Sequence, residues 1–290
     1  MDIKVGSRES KLAVVQSEMV IAAIKEYNPD INVELVTMKT TGDKILDRTL
    51  DKIGGKGLFV KELDKALADK RVDLTVHSFK DMPMEVNPEL PILAVSKRED
   101  ARDVLILPMG TDKLDLKKPI GCSSLRRKIQ LEELYPDAVV KPVRGNVQTR
   151  LAKLDGGEFG ALVLAYAGIK RLGLEKRISR IFDVTEILPA SCQGILAVQG
   201  RCDFDRTVLS KFHSERSADI ARAERSFVRY LDGGCSSPVA SYAEIDGDSM
   251  ILTGFYVDEK GVSYKKAIVG DRKKASELGI ELARQMKERC

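Results

Sequence analysis

Tryptophan is absent from the 290 residues, and aromatic side chains make up only 5%. A surface so poor in aromatic platforms has little on which to stack unpaired bases, which argues against single-stranded nucleic acid as a partner. Charge of one sign is not in excess either: 48 basic residues stand against 44 acidic ones, for a net charge of +4. That balance leaves no electrostatic footprint for a nucleic-acid duplex. No run of 18 apolar residues occurs, so no transmembrane helix and no membrane association are expected. The opening "MDIKVGSRES" lacks a basic region followed by an apolar stretch, so a secretory signal is not expected. Cysteine occurs five times, as Cys122, Cys192, Cys202, Cys235 and Cys290, without a CxxC pair, which argues against a structural zinc site. An odd number of thiols without an export signal implies a cytoplasmic location with reduced cysteines. Histidine occurs only as His77 and His213, and no serine elbow is present, so a histidine-based hydrolase has little to work with.

What is present is ordinary for a globular chain: 43% hydrophobic and 32% charged residues, at a length that suggests two or three domains. "DIKVGS" reads as a strand. The following helix carries Leu12, Val15, Met19, Ala22 and Ile24 near helical spacing. "INVELVTM" and "VDLTVHS" are strands around the amphipathic helix "GLFVKELDKALADK". This alternation predicts an α/β domain with a mainly parallel sheet. Between them, Thr40 to Gly57 is polar and punctuated by glycine, and reads as a mobile active-site loop. "SKREDARD" (96–103) reads as a charged connector, and "VLILP" begins a second α/β domain whose strand-to-helix turns carry polar or basic residues. A helix over 213–231, with Ile220, Ala223, Phe227 and Leu231 as its stripe, leads to a β-β-β-α ending broken at "DGD" and "DEKG".

Three groups of residues point to chemistry. The stretch "YLDGGCSSPV" sets two glycines before Cys235, where the helix should stop. Glycine tolerates a left-handed backbone, so Gly233 and Gly234 are expected to cap the helix. They also strip bulk from the approach to a sulfur that could carry a covalent adduct; the plainer alternative is a small buried hydrophobe. Second, Arg8, Arg126, Arg127, Arg144, Arg150 and Arg171 each follow, or nearly follow, a predicted strand. Surface charge is the usual fate of arginine. However, its planar fork suits carboxylates, and "SS" ahead of a helix adds hydroxyls and free N–H groups that favour anions. The ligand inferred from this set carries several carboxylates. Third, in "VHSFKDMP" a strand ends and Lys80, Asp81 and Pro83 follow. Asp81 is expected at the strand's carboxyl end, where an acid among arginines is normally a salt-bridge partner; the alternative is the single negative group that stabilises a cationic intermediate or moves protons.

With these pieces assembled, the chain resembles the porphobilinogen deaminase family, also called hydroxymethylbilane synthases. The resemblance runs through "GSRES", "GGKGLFVKELD", "VHSFKDMP", "SSLRRK", "RGNVQTRLAKLD", "AYAGIKRLG", "LPASCQGILAVQGR" and "ERSFVRYLDGGCSSPVASYA", in order over nearly the whole chain. It implies an α/β fold: two periplasmic-binding-protein-like α/β domains plus a small C-terminal α+β domain with a three-stranded sheet. The expected boundaries are 1–96 with 190–212 for the first domain, 97–189 for the second and 213–290 for the third. It implies a monomeric transferase of tetrapyrrole biosynthesis acting on porphobilinogen, with no metal. The family's covalent dipyrromethane cofactor would join Cys235 through a thioether. Lys80, Ser123, Ser124, Arg126, Arg127, Arg144 and Gly145 would hold that cofactor. Arg8, Ser10, Lys56, Phe59, Arg126, Arg150 and Arg171 would hold substrate. Asp81 would assist loss of ammonia and stabilise the resulting azafulvenium cation. Two departures stand out: Cys122 where the family usually has a hydroxyl residue, and Cys192 where a small residue, commonly glycine, is more usual. The competing reading is a non-enzymatic anion receptor built from two basic α/β lobes, against which stand the missing export signal, the third domain and Cys235 in its glycine setting.

Overall fold

A computed structural model of the chain describes residues 2–40, 60–233 and 237–288. In chain order these form β1 (Asp2–Arg8), α1 (Lys11–Tyr27), β2 (Asn32–Met38), α2 (Lys61–Ala68), β3 (Leu74–Ser78), β4 (Ile92–Val95) and β5 (Asp103–Ile106). There follow β6 (Ile120–Gly121), α3 (Leu125–Leu134), β7 (Val140–Lys141), α4 (Val147–Asp155), β8 (Ala161–Ala165), α5 (Tyr166–Arg171) and β9 (Arg180–Ile181). The remainder is β10 (Leu196–Gly200), α6 (Glu215–Tyr230), β11 (Ala240–Asp246), β12 (Ser249–Val257), β13 (Ser263–Asp271) and α7 (Ala275–Lys287). The chain divides into two compact units, residues 1–99 with 194–218 and residues 100–193 with 219–290.

The first unit holds a five-stranded sheet in the order β2-β1-β3-β10-β4. Strands β1, β2 and β3 run parallel, as the strand–helix alternation predicts, but β10 enters antiparallel to both of its neighbours. The sheet is therefore mixed, because the chain returns to it after the second unit's α/β segment rather than through a helical crossover. Its core gathers Ile3, Val5, Leu74, Val76 and Val198 against Val20 and Ile24 of α1. The buried face of α1 is Ala13, Gln16, Ser17, Val20 and Ile24, while Met19 and Ala22 are exposed. The apolar stripe expected from the sequence is thus rotated, because two polar side chains lie on the inward face.

The second unit repeats the plan in the order β7-β6-β8-β5-β9, with β7, β6 and β8 parallel and β5 antiparallel to β8 and β9. Its C-terminal part is the antiparallel sheet β11-β12-β13, as expected from "DGD" and "DEKG", with α7 packed on it. The stripe Ile220, Ala223 and Phe227 of α6 is buried, while Leu231 falls past the helix end. Leu188, Ala240 and Phe255 form a small core that also takes in Ile129 and Tyr242.

Candidate functional site

In the first unit, β1 and β3 are parallel neighbours, so their carboxyl ends lie at one edge of the sheet. Arg8 closes β1, and Ser10, in extended backbone, precedes α1. Gln16 of α1 is buried and donates Nε2–H to Ser78 Oγ at 3.0 Å, which ties the helix to the end of β3. Directly after Ser78 comes a single 3-10 turn, Phe79–Asp81. Phe79 donates its N–H to the Ile195 carbonyl at 3.0 Å, and Met82 donates to the Phe79 carbonyl at 3.2 Å. Both Phe79 and Met82 are buried. In a 3-10 turn, side chains three apart eclipse. Burying Phe79 and Met82 on one side therefore leaves Lys80 half-buried and Asp81 exposed on the other. The carboxylate predicted to act on substrate stands on a turn anchored at both ends.

One strand residue back, His77 is buried and shares a 2.9 Å hydrogen bond between Nε2 and Thr75 Oγ1. Burial pushes its pKa down to about 4, helped by the nearby charge of Arg8 and opposed by a hydrogen bond with Gln199. A neutral imidazole locked in the sheet is a structural group.

In the second unit, three parallel strands end side by side and each feeds a helix. After β6, Ser124 caps α3 by accepting the Arg127 N–H. After β7, Asn146 caps α4 by accepting the Thr149 N–H at 2.9 Å. Ser123 stitches the two turns together, with Oγ bonded to both the N–H and the carbonyl of Val143. Gly145 has φ +109°, and a Cβ there would lie 2.6 Å from Thr149 Cγ2, so the turn between Arg144 and Asn146 requires glycine on both counts. Arg150 folds back from α4 to donate Nε–H to the Gly145 carbonyl at 2.8 Å. Arg171 closes α5 beyond β8.

Arg126 and Arg127, in the first turn of α3, are only 3% and 7% exposed. Both reach Asp103, which is fully buried as the first residue of β5. Arg126 Nη1 lies 2.9 Å from Asp103 Oδ2, and Arg127 Nη2 lies 2.6 Å from Oδ1. Arg126 also donates to the Leu188 carbonyl at 2.6 Å and Arg127 to the Val163 carbonyl at 3.3 Å. Gln193 Nε2 completes the set, donating to Asp103 Oδ1 at 2.7 Å and to the Ala101 carbonyl at 2.6 Å. Burial lowers the pKa of Arg126 and the Asp103 charge opposes that. The sequence expectation placed Asp103 in a charged connector. It is instead buried, because β5 runs antiparallel to β8 and its first residue, Asp103, pairs with Ala165, the last residue of β8. Neither Asp103 nor Gln193 was singled out from sequence. The available signal was an acid at the head of the apolar run "VLILP".

Two guanidiniums facing one carboxylate leave one net positive charge, beside helix N-termini and two serine hydroxyls. That donor set fits a ligand bearing carboxylates, the chemistry expected of a dipyrromethane group with acetate and propionate arms. Cys122, the departure next to Ser123, is buried in the unit's core, where burial raises its pKa and its thiol lies 3.6 Å from the Ser124 carbonyl. Cys192 is buried with φ +61°, a left-handed backbone that glycine adopts at less cost than cysteine. Lys56, Phe59 and Cys235 lie outside the described residues, as does nearly all of the expected active-site loop.

The end of α6 is described up to Gly233. Asp232, at φ +52°, takes the left-handed position, with its N–H on the Arg229 carbonyl and the Gly233 N–H on the Val228 carbonyl at 2.9 Å. This is the two-bond helix stop in which a left-handed residue usually is glycine. Here aspartate takes that conformation, so the expectation that Gly233 does so is corrected. Space at Gly233 is tight: a Cβ would lie 3.0 Å from Val228 Cγ1, 3.1 Å from the Val228 carbonyl oxygen and 3.3 Å from Val239 Cγ2.

Comparison with known proteins matches residues 3–209 to the porphobilinogen deaminase, dipyromethane cofactor binding domain, and residues 218–288 to the porphobilinogen deaminase, C-terminal domain. The chain is 64% identical over 286 residues to the porphobilinogen deaminase of Acetivibrio thermocellus, covering 99% of this chain and 98% of that protein. It is 66% identical over 287 residues to that of Alkaliphilus oremlandii, covering 99% and 97%. Among solved structures, the periplasmic aliphatic sulphonate binding protein SsuA from Escherichia coli aligns with 80% of this chain and 70% of its own, at 12% identity and a TM-score of 0.43.

Proposed function

Because this chain belongs to the porphobilinogen deaminase family and is thus a transferase with a dipyrromethane-binding domain, we propose that it joins four porphobilinogen units head to tail and releases 1-hydroxymethylbilane. At each joint the C–N bond of an aminomethyl group breaks and ammonia leaves. A carbon–carbon bond forms in its place, and the attacking pyrrole loses its α-proton. After four additions to the dipyrromethane primer, the carbon–carbon bond joining the new chain to the primer breaks. Water supplies the hydroxyl of the product, its other proton restoring the primer's α-hydrogen. The observation that carries this reading for the chain's own residues is the buried pair Arg126 and Arg127, held beside two helix N-termini with one net positive charge.

The dipyrromethane group, attached at Cys235, supplies the free pyrrole carbon on which units are added. Arg126, Arg127, Arg144, Lys80, Ser123, Ser124 and the Gly145 turn bind and orient its carboxylates. Arg8, Ser10, Arg150 and Arg171, together with Lys56 and Phe59, take the carboxylates of incoming substrate. Charge-assisted hydrogen bonds of this kind contribute roughly 1.5–3 kcal/mol each. Asp81, exposed on its anchored turn, supplies the negative charge that stabilises the cation left when ammonia departs, and accepts a hydrogen bond from pyrrole N–H. Three domains, with boundaries near 96, 190 and 213, divide this work: Asp81 on the first, the arginine turns on the second and Cys235 on the third. The protein works as a cytoplasmic monomer.

Intact-mass measurement of the purified chain tests the reading. A mass increase equal to two linked pyrroles is expected, mapping by peptide digestion to Cys235. Cys235→Ser should fold and lack the adduct, because a hydroxyl is a far weaker nucleophile than a thiolate at neutral pH. An adduct on Cys122, Cys192, Cys202 or Cys290, or a stable one on the serine variant, would overturn the assignment.

A further inference from the structure

We propose that Asp103, braced by Gln193, is a positioning residue for cofactor capture: it fixes the arginine pair so that one guanidinium edge of Arg126 is left to take a ligand carboxylate. The proposal rests on the family reading above for the identity of that ligand. Its physical content comes from the cluster itself.

A carboxylate accepts at both oxygens, with roughly four lone-pair directions in all. Asp103 accepts from donors at two places in the fold: the α3 neighbours Arg126, with Nη1 at Oδ2, and Arg127, with Nη2 at Oδ1, and the distant Gln193, with Nε2 at Oδ1. Each arginine is held by a separate oxygen, so neither can turn without breaking a buried, charge-assisted bond. Gln193 in turn is fixed by its second bond to the Ala101 carbonyl. Arg126 spends a single nitrogen, Nη1, on both Asp103 and the Leu188 carbonyl. Its Nε and Nη2 make no hydrogen bond among the described residues, although the side chain is only 4% exposed. That edge presents two parallel N–H donors, the geometry that binds a carboxylate bidentately. Donors with so little access to solvent are poorly hydrated, and one ligand carboxylate would satisfy both of them and offset positive charge in the cluster. Arg127, by contrast, spreads its donors over Asp103, Val163 and Gln193.

The test uses cofactor-free full-length chain, with porphobilinogen as the probe. It has two readouts besides turnover: the rate at which the two-pyrrole mass appears, and the rise in Tm on loading. Asp103→Asn keeps the shape and removes the charge. Gln193→Met keeps both ion pairs and removes the brace on Asp103 together with the long 3.4 Å bond that Arg127 Nη2 makes to Gln193. We expect Asp103→Asn to load about tenfold or more slowly than wild type, as loss of an orienting partner does at ligand-holding groups, with a smaller Tm rise on loading. Gln193→Met should shift both readouts the same way by less. A purely structural Asp103 would lower the Tm of unloaded and loaded chain alike and leave the loading rate of folded protein unchanged; that result overturns the proposal. If Asp103→Asn does not fold, Gln193→Met decides, and wild-type loading by it is again refuting. A wild-type chain that never gains the mass sinks the family reading together with this one, whereas normal loading by wild type and both variants sinks this one alone.

Discussion

Replacing Arg126 with leucine should destabilise the protein even when no cofactor is present. In a surface arginine that merely greets a ligand, the loss would be felt only on binding. Arg126 is 3% exposed and its partner Asp103 fully buried, so solvent screens their interaction little. Removing one member of such a pair typically costs about 3–5 kcal/mol, because the other charge is left unpaired. Here Asp103 keeps Arg127 at 2.6 Å and Gln193 at 2.7 Å. The Leu188 carbonyl keeps a longer bond of 3.4 Å from Gln130 Nε2. Leucine also returns some apolar contact. The expected cost is therefore below that range, about 2–3 kcal/mol, a large share of the 5–15 kcal/mol that usually holds a domain together. Urea unfolding of the cofactor-free protein measures it, provided wild type and variant share the same denaturant slope. Lys128→Leu is the control: the next residue but one on the same helix, exposed and in a long 3.8 Å contact with Glu132, should change stability by no more than about 0.5 kcal/mol. If Arg126→Leu unfolds at the same urea concentration as Lys128→Leu, the buried ion-pair reasoning is wrong.

Two further outcomes are expected. Asp81→Asn should still carry cofactor and bind substrate, but lose on the order of 10²–10³ in turnover, while Asp81→Glu keeps part of it; equal rates for the two would refute a charge role at Asp81. His77 titrates at about 4 in the fold, against an ordinary value near 6.5 when unfolded. Between those pH values the unfolded chain binds the extra proton, so stability should fall as pH drops through that window, by up to about 3 kcal/mol, and this part of the slope should vanish in His77→Gln; unchanged slopes would refute it.

The elements were largely legible from periodicity. The alternation of "DIKVGS", a helix and "INVELVTM" became β1, α1 and β2, and the turns at "DGD" and "DEKG" separate β11, β12 and β13 as expected. What periodicity missed was long-range. Strand β10 comes more than 100 residues after β4 in sequence and pairs with it and with β3, antiparallel to both. Nothing local in "ILAVQG" announces that direction. The inward face of α1 was misplaced for a related reason. Gln16 and Ser17 are buried there, and a count of apolar spacing passes over polar side chains whose partners are on other elements.

The same blindness explains the candidate site. Arginines placed at strand ends could be suspected of binding anions from the sequence alone, since residue type and position are local facts. Whether a guanidinium is already committed inside the protein is not a local fact. Arg126 and Arg127 are adjacent in sequence, and on a helix adjacent side chains diverge by about 100°, yet both converge on Asp103, 23 and 24 residues away. They can do so because Asp103 offers two oxygens and sits where β5 starts against the end of β8. Burying that acid without partners would be prohibitive, and burying either arginine without it equally so. The three charges therefore fold inward only as a set of two positive and one negative, with Nε and Nη2 of Arg126 making no hydrogen bond among the described residues. A chain that needed only stability could have filled this volume with apolar side chains at no loss. That it holds charge there instead is what supports the proposal that the cluster takes an anionic ligand.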